Sequence, residues 1–270
     1  MKYFLFSTII LAFFIAMKPK EPINQTLNLS GSFDNFQQVW QENTSDDIHR
    51  VAIEKKHRHY HFKFSVDSTT QNVIKISMFE GRNNKTELGV KSMEITKKNA
   101  DLFLSINKQN PLKLLMNNEG FSTASGEIKL KGDTLYISHP DLVESNKVPY
   151  RFVKCRFFTG WLQYPVPNKK DSTYFQNNLL LHDQGGMAEL KYPNAKYTAE
   201  LTQLVYGQKI KLMKIAIYEM PLDSIGINSY SASYAWASPD TKRLGINLRR
   251  LVSGWTLVEK GYLNRNTLSK

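Results

Sequence analysis

Over most of the chain, apolar and polar residues alternate with a period of two in many short segments. This is the period of a β-strand, whose successive side chains point to opposite faces of a sheet. Between residues 59 and 66, for example, Tyr60, Phe62, Phe64 and Val66 share one face. Many short strands separated by turn residues are typical of antiparallel barrels and sandwiches. The pattern therefore predicts an all-β protein.

A two-residue turn gives the clearest local signal. Gly132-Asp133 lies between two alternating segments, 126–131 and 134–138, which is the arrangement of a tight β-hairpin. Further segments with strand periodicity follow at 150–158, 178–182, 187–192, 198–206, 208–218, 230–236, 244–249 and 254–259.

One segment, 34–43, has helical spacing instead. Phe36, Val39 and Trp40 stand at i, i+3 and i+4, and Asp34 precedes them as a helix cap. We expect this short helix to close one end of a barrel, with Phe33, Phe36 and Trp40 buried as a plug.

The segment 165–171 interrupts the strand pattern with two prolines and a cluster of charges. It predicts a boundary between a β-barrel domain at 26–165 and a second β region at 172–270. Whether the second region continues the same barrel or forms a separate small domain stays open.

The first seventeen residues bear on the compartment. Lys2 precedes an unbroken apolar run at 3–17, and the chain turns polar at Lys18. The run is short for a membrane span, which needs about 20 apolar residues, and is typical of an export signal. No A-x-A pattern precedes Lys18, so a retained membrane anchor is the alternative. The prediction is a periplasmic or extracellular protein, and membrane association through this segment is the alternative.

The formal net charge of +12 favours anionic partners. Nucleic acid is excluded as a partner, because the basic residues are scattered among apolar ones and export separates the chain from the genome. The single cysteine, Cys155, cannot form an internal disulfide. Lys154 and Arg156 point to the opposite strand face, so a buried, inert thiol is expected rather than a nucleophile.

Three alternating histidines, His57, His59 and His61, would share one face of a strand. Imidazoles so placed could bind a divalent metal, but four basic residues surround them and no carboxylate follows with ligand spacing. A polar strand face, or hydrogen bonding to an anionic ligand, is therefore preferred, and no metal is assigned.

Tyr230, Ala232, Tyr234 and Trp236 form a second alternating set, here called the aromatic stripe. Core packing is the favoured interpretation, and a ligand-stacking surface is the alternative.

No catalytic residue is assigned. No serine stands in a G-x-S-x-G elbow, and Gly185-Gly186 predicts a turn rather than a phosphate loop. Asp183 and Glu189 could be the paired carboxylates of a hydrolase, although any β protein offers such pairs.

The stretch from Leu29 to Trp40 resembles the opening of the CpcT/CpeT family of phycobiliprotein chromophore lyases. The match lies on Gly31, Phe33 and Asn35 together with Gln37. The resemblance implies a calyx-shaped barrel related to lipocalins, able to hold an apolar or tetrapyrrole-like molecule and present it to an acceptor protein. The resemblance implies lyase activity only if the chain is a true member of this family.

Taken together, the sequence predicts an exported, antiparallel, lipocalin-like β-barrel with a short N-terminal helix and a further antiparallel β region. The expected role is binding or transfer of a small amphipathic or anionic ligand, without a cofactor of its own. The alternatives are a non-catalytic surface protein that binds polysaccharide or a protein partner, and a metal-dependent enzyme using residues 57–61. The candidate ligand-binding residues are His59, His61, Tyr150, Arg151, Tyr230, Tyr234 and Trp236.

Overall fold

The computed structural model describes most of the chain from residue 29 onward. It describes residues 29–44, 56–66, 73–82, 86–98, 101–117, 120–166, 168–169, 171–192, 195–206, 210–227, 229–248 and 251–258. The predicted leader at 1–17 lies outside the described residues. None of the described helices is long and apolar enough to cross a membrane.

Ten of the described strands form a closed antiparallel barrel. Consecutive strands pair in chain order, and β1 closes the barrel by pairing with both β2 and β10. The strands are β1 (Gly31–Asp34), β2 (Tyr60–Val66), β3 (Val73–Glu80), β4 (Thr86–Lys98), β5 (Asp101–Ile106), β6 (Leu112–Asn117), β7 (Gly120–Thr123), β8 (Gly126–Lys131), β9 (Thr134–Ile137) and β10 (Tyr150–Lys154). The predicted hairpin is confirmed, since Gly132 turns with φ of +58° between β8 and β9.

A filled apolar core occupies the barrel. Phe62 is fully buried and stacks on Phe152 at 4.6 Å between ring centroids, while Phe33 meets Phe64 edge-on at 5.6 Å. These side chains alternate with outward-facing ones along each strand, as the two-residue period requires. Side chains therefore fill the barrel interior, which is a packed core.

The other eight described strands form two four-stranded antiparallel sheets. The first has the order β12-β11-β18-β17 and the second the order β13-β14-β15-β16. The strands are β11 (Phe157–Pro165), β12 (Thr173–His182), β13 (Gln184–Tyr192), β14 (Ala195–Tyr206), β15 (Ile210–Tyr218), β16 (Ser233–Ala237), β17 (Arg243–Leu248) and β18 (Leu251–Leu257). A single apolar core joins Leu162 and Leu181 of the first sheet to Leu201 and Ile215 of the second. The two sheets are therefore a sandwich.

Glycine and tryptophan alternate across one strand pair of the sandwich. Gly160 of β11 faces Trp255 of β18, and a Cβ atom at Gly160 would come within 2.0 Å of the indole ring. Trp161 covers Gly254 in the next pair of the same ladder. Both glycines are required because a neighbouring ring fills the space that a side chain would need.

The change from barrel to sandwich occurs at Cys155-Arg156, between β10 and β11. Strand β11 pairs with β12 and β18, so it belongs to the sandwich. The proline segment at 165–171 connects β11 to β12 within one sheet of the sandwich. The boundary between barrel and sandwich therefore lies earlier in the chain than this segment.

The predicted helix is confirmed as α1 (Phe36–Thr44). Asn35 accepts the first helical hydrogen bond, from Val39 N–H, and Asp34 caps the start by accepting the Phe36 N–H at 2.7 Å. The predicted plug is wrong. Phe33 belongs to the barrel core, whereas Phe36 packs between the barrel and the sandwich and Trp40 is only half-buried.

The prediction of an antiparallel all-β fold with a barrel, a short helix and a further β region is therefore confirmed. The described chain is mostly antiparallel β-structure, with one short helix, a closed barrel and a further antiparallel region.

Candidate functional sites

A buried cluster of polar side chains lies where the outer wall of the barrel meets the sandwich. Asp34, at the end of β1, accepts hydrogen bonds from His59 Nε2 at 2.7 Å and His61 Nδ1 at 3.1 Å. Burial alone would raise the pKa of Asp34, but the contacts with the two histidines outweigh it and hold the pKa well below its usual range. Asp34 is therefore an ionised group that fixes both rings.

The sandwich contributes His182, the last residue of β12, to the same cluster. The rings of His182 and His61 lie 5.0 Å apart between centroids, and Cys155 joins them at the link between barrel and sandwich. Ligand atoms of these three residues all lie within 4.8 Å of one another. We call His61, Cys155 and His182 the junction cluster.

Burial determines the protonation states in this cluster. Burial, together with the nearby His61 and His59, lowers the pKa of His182 to about 3, so its ring is neutral. Burial and the carboxylates of Asp34 and Asp183 raise the pKa of Cys155 well above its ordinary value. The thiol is protonated near neutral pH, which agrees with the expected lack of nucleophilic reactivity.

Next to the junction cluster, Asp183 sits in the tight connection between β12 and β13. It accepts hydrogen bonds from Arg156, from the backbone N–H at 3.0 Å and from Nε at 2.6 Å. Burial raises the pKa of Asp183, although Arg156 opposes the shift. Glu189, by contrast, is exposed on β13. The two carboxylates therefore have different environments, and Asp183 serves to hold Arg156.

The prediction of a turn at Gly185-Gly186 is wrong, because both glycines lie in strand β13, where the pairing with β14 shifts register between Gln184 and Gly186. Gly185 has φ of +80°, and a Cβ atom there would come within 2.7 Å of the Phe36 ring. Gly186 packs so closely on His182 that a Cβ atom would lie 2.4 Å from its backbone nitrogen. Helix α1 and His182 thus both rest directly on this glycine pair.

His57 does not share the environment of His59 and His61. It precedes β2 and donates from Nδ1 to Glu42 at 2.5 Å and from Nε2 to the Val148 carbonyl at 2.9 Å. The predicted common face of three histidines is therefore reduced to two, His59 and His61, which Asp34 holds together. The alternation predicted a strand that includes His57, but β2 begins at Tyr60, so the segment before it turns His57 toward Glu42.

A pocket of about 550 Å³ opens at one end of the barrel. The β5–β6 connection, the β7–β8 turn and the segment after β9 surround it. Three of its lining residues are apolar, here called the floor, and the other six are polar, here called the rim; we call the whole the barrel-end pocket. The lining residues are Leu104, Ile106, Lys108, Gln109, Asn110, Leu112, Ser125, His139 and Asp141.

His139 is the buried polar residue of this pocket. Its Nδ1 accepts the backbone N–H of Asp141 at 3.4 Å, and its buried Nε2 has no hydrogen-bond partner among the described residues. Burial lowers the pKa of His139, so the ring is neutral and carries its proton on Nε2. The side chain therefore offers an unused N–H donor.

The predicted ligand residues on β10 do not line this pocket. Tyr150 is buried in the barrel core, edge-on to His57 at 4.5 Å. Arg151 points the other way, and its Nη2 donates to Gln41 Oε1 at 2.6 Å. Tyr150 therefore serves packing, and Arg151 ties α1 to the barrel.

The aromatic stripe lies on the outside of the sandwich, so the favoured interpretation of core packing is wrong. Tyr230 is 93% exposed, Tyr234 56% and Trp236 42%. Ala235 and Ala237 face the core instead. The ammonium group of Lys214 lies over the rings of Tyr234 and Trp236, at 5.1 and 5.6 Å from their centroids. The alternation correctly predicted that the aromatic residues share one face. That face is turned to solvent, whereas we expected it to pack on the core.

Comparison with known proteins gives no relative, because no family model, no curated protein and no solved structure matches the chain. The CpcT/CpeT resemblance of residues 29–40 stays a prediction. Function must therefore be argued from the three sites themselves: the junction cluster, the barrel-end pocket and the aromatic stripe.

Proposed function

We propose that this protein binds a small amphipathic, anionic molecule in the barrel-end pocket. The observation that carries the proposal is the pocket of about 550 Å³, which combines an apolar floor with the unused donor of His139. Sites for small molecules measure roughly 300–1,000 Å³ and pair an apolar lining with a few placed polar groups.

The floor of the pocket suits an apolar body. Leu104 and Ile106 extend from the buried core of the barrel, and Leu112 stands half-buried at the start of β6. Leu104 and Ile106 are already buried, so the apolar surface that binding removes from water, at roughly 25 cal/mol per Å², belongs to Leu112 and to the aliphatic or ring-shaped group of the ligand. Because the barrel core below them is filled, the ligand would lie at the barrel end.

The rim suits a negatively charged head group. Lys108 lines the pocket, and Lys91 reaches its edge, where its ammonium donates to the Asp141 carbonyl. The buried Nε2–H of His139 has no acceptor among the described residues, and it would donate to a carboxylate or sulfonate oxygen if its ring turned toward the pocket. The positive net charge of the chain also favours attraction of anions.

The finer parts of this proposal come from the sequence. The resemblance of residues 29–40 supports a lipocalin-like barrel and a tetrapyrrole-like ligand, whose carboxylates would meet Lys108 and His139. It also supports transfer of the ligand to an acceptor protein. The predicted leader supports a periplasmic or extracellular location, so we propose an exported carrier.

Fluorescence titration with 8-anilinonaphthalene-1-sulfonate, an anionic amphipathic dye, tests the proposal. We expect saturable binding to the full-length protein. Lys108→Glu should weaken it at least tenfold, whereas Lys211→Glu, the same charge change at an exposed site on β15, should leave it unchanged. Equal effects of the two substitutions, or binding that does not saturate, would contradict a site at the barrel end.

Two tryptophan variants, of which one fills the pocket, test the pocket floor independently of charge. Leu112→Trp should fill the pocket and abolish dye binding, while Leu115→Trp places the same side chain on the exposed face of β6 and should have no effect. Circular dichroism should show native folding for both, since neither residue lies in the fully buried core.

The aromatic stripe supports a second candidate function, binding of an acidic polysaccharide. Tyr234 and Trp236 present exposed rings in a row, which is suited to stacking on sugar rings. Lys214 lies over both rings and would meet the carboxylate of a uronic acid unit. The feature that favours this candidate is the exposure of Tyr234 and Trp236 on one face of β16, with the exposed Tyr230 just before the strand.

Affinity electrophoresis in gels containing alginate tests this candidate. We expect the wild-type protein to be retarded, and a Tyr234→Ala/Trp236→Ala double variant to migrate as it does in plain gels. Phe175→Ala removes another exposed aromatic residue, on β12, and should stay retarded. Retardation of all three proteins would assign the effect to net charge and would overturn the stripe as a binding surface.

A further inference from the structure

We propose that His61, Cys155 and His182 bind a transition-metal ion between the barrel and the sandwich, with zinc as the ion that the donors fit best. Ligand atoms of the three residues lie within 4.8 Å of one another. All three residues are described in the structure, and none of them takes part in the barrel-end pocket or the aromatic stripe.

The donor set selects the class of metal. Two imidazole nitrogens and one thiolate sulfur are ligands of zinc, copper and related ions, whereas magnesium and calcium prefer oxygen. Three protein ligands of this kind also leave a coordination position open on a tetrahedral ion. Zinc accepts both ligand types without a change in oxidation state.

Asp34 prepares His61 for this role. It accepts the Nδ1 proton of His61 at 3.1 Å, which fixes the tautomer and leaves Nε2 as the free lone pair. Metal-bound histidines commonly donate their second nitrogen to a carboxylate in this way. Asp34 also holds His59, so the carboxylate stays ionised and in place.

His182 provides an independent observation. Its Nδ1 is buried and has no hydrogen-bond partner among the described residues. An unpaired polar atom in such a place is costly, by roughly 1–3 kcal/mol, unless something binds it. A metal ion that His182 shares with His61 would satisfy the buried imidazole.

The surroundings hold the three ligands in position. The Phe157 ring lies 5.9 Å from His182, and the Phe79 ring lies 6.1 Å from His61. Gly186 packs directly against the His182 backbone. The site is therefore walled by apolar groups and by tightly packed backbone.

Metal binding requires a small convergence and the release of a proton. A tetrahedral zinc at roughly 2.0–2.3 Å from each ligand separates ligand atoms by about 3.3–3.8 Å, so the side chains must close in by about 1 Å. The Cys155 thiol loses its proton to solvent as the sulfur–metal bond forms. Since His61 lies in the barrel and His182 in the sandwich, the ion would link the two.

Spectroscopic titration with Co²⁺, followed by displacement with Zn²⁺, tests the proposal on the full-length protein after treatment with a chelator. We expect about one ion per chain, with a thiolate-to-cobalt charge-transfer band in the near ultraviolet. Zinc should abolish the band and raise the melting temperature.

Variants separate this site from adventitious binding. Cys155→Ser should remove the charge-transfer band, and His182→Asn should weaken binding on the order of tenfold or more. His57→Gln removes a buried histidine of the same segment outside the cluster and should retain the band. Circular dichroism checks that each variant is folded, and His61→Asn replaces any variant that is not.

Two results would overturn the metal site. One is the absence of saturable cobalt binding to the wild-type protein. The other is binding that persists without change in Cys155→Ser and His182→Asn, because the ion would then sit on other side chains. Dye binding at the barrel end does not depend on either result.

Discussion

Arg82 and Glu200 form a buried ion pair that joins the barrel to the sandwich. Arg82 follows β3, and its guanidinium contacts the Glu200 carboxylate on β14. Tyr218 on β15 donates to the other carboxylate oxygen at 2.5 Å, and Arg82 also lies over the Phe36 ring of α1. Burial lowers the pKa of Arg82 to about 10, although the neighbouring acidic groups oppose the shift.

Loss of Glu200 should therefore be strongly destabilising. Removing one partner of a buried pair leaves the other charge uncompensated, which typically costs roughly 3–5 kcal/mol. We expect Glu200→Gln to lower the free energy of unfolding by that amount in urea titrations. Glu80→Gln, which breaks the more exposed pair with Arg58, should have a much smaller effect. Similar losses in the two variants would show that the Arg82–Glu200 pair does not join the two parts.

The pairing of His57 with Glu42 predicts a dependence of stability on pH. Burial alone would lower the pKa of His57, but the hydrogen bonds to Glu42 and to the Val148 carbonyl outweigh it and raise the pKa above 6.5. Both ring nitrogens face acceptors, so the charged form fits the site. The other groups that face the ring are Gln38 on α1 and Tyr150 on β10.

The direction of this pH dependence follows from the raised pKa of His57. The contribution of His57 is fully present below pH 6.5 and is lost as the pH rises through the folded-state value. The stability difference between the wild-type protein and His57→Gln should therefore be larger at about pH 5.5 than at about pH 8.5. Urea unfolding of both proteins at the two pH values measures it. A difference that grows with pH would show that His57 is neutral in the folded protein.

Phe33 and Trp40 should differ in their importance for stability. Phe33 is fully buried in the barrel core, so Phe33→Ala should cost roughly 3–5 kcal/mol. Trp40 is half-buried on α1, and Trp40→Ala should cost about 1–2 kcal/mol. Denaturant midpoints decide between this order and the plug, in which both residues would cost equally.

Export is tested on the intact cell. The run at 3–17 should direct the chain out of the cytoplasm, and N-terminal sequencing of the exported protein should begin between about Ala16 and Thr26. Recovery of the full-length chain from the soluble cytosol would be inconsistent with an exported carrier.

Local pattern predicted much of the fold. Alternation predicted that Tyr60, Phe62 and Phe64 share one strand face, which the structure places in the barrel core, and the Gly132-Asp133 turn predicted one hairpin. Closure of the barrel could not be predicted, because β1 has four residues and its two partners are chosen by long-range register. The end of the barrel at Lys154 was missed for the same reason, since the strand pattern runs on through β11.

The sites were less predictable, because each combines distant segments. His59 and His61 were found by alternation, but His182 and Cys155 join them only through the contact between barrel and sandwich. Lys108 and His139 lie in connections between strands, where no periodic signal exists. For Tyr234 and Trp236, the available sign was the small residues Ala235 and Ala237 at the alternate positions of the strand, because that face packs on the core.

Mass spectrometry of the protein purified from its native host tests ligand binding at the barrel end most directly. We expect the wild-type protein and Leu115→Trp to yield one extractable amphipathic anion at about one molecule per chain, and Leu112→Trp, whose pocket is filled, to yield none. An equal yield from all three proteins, or none from the wild type, would contradict a carrier that holds its ligand in the barrel-end pocket.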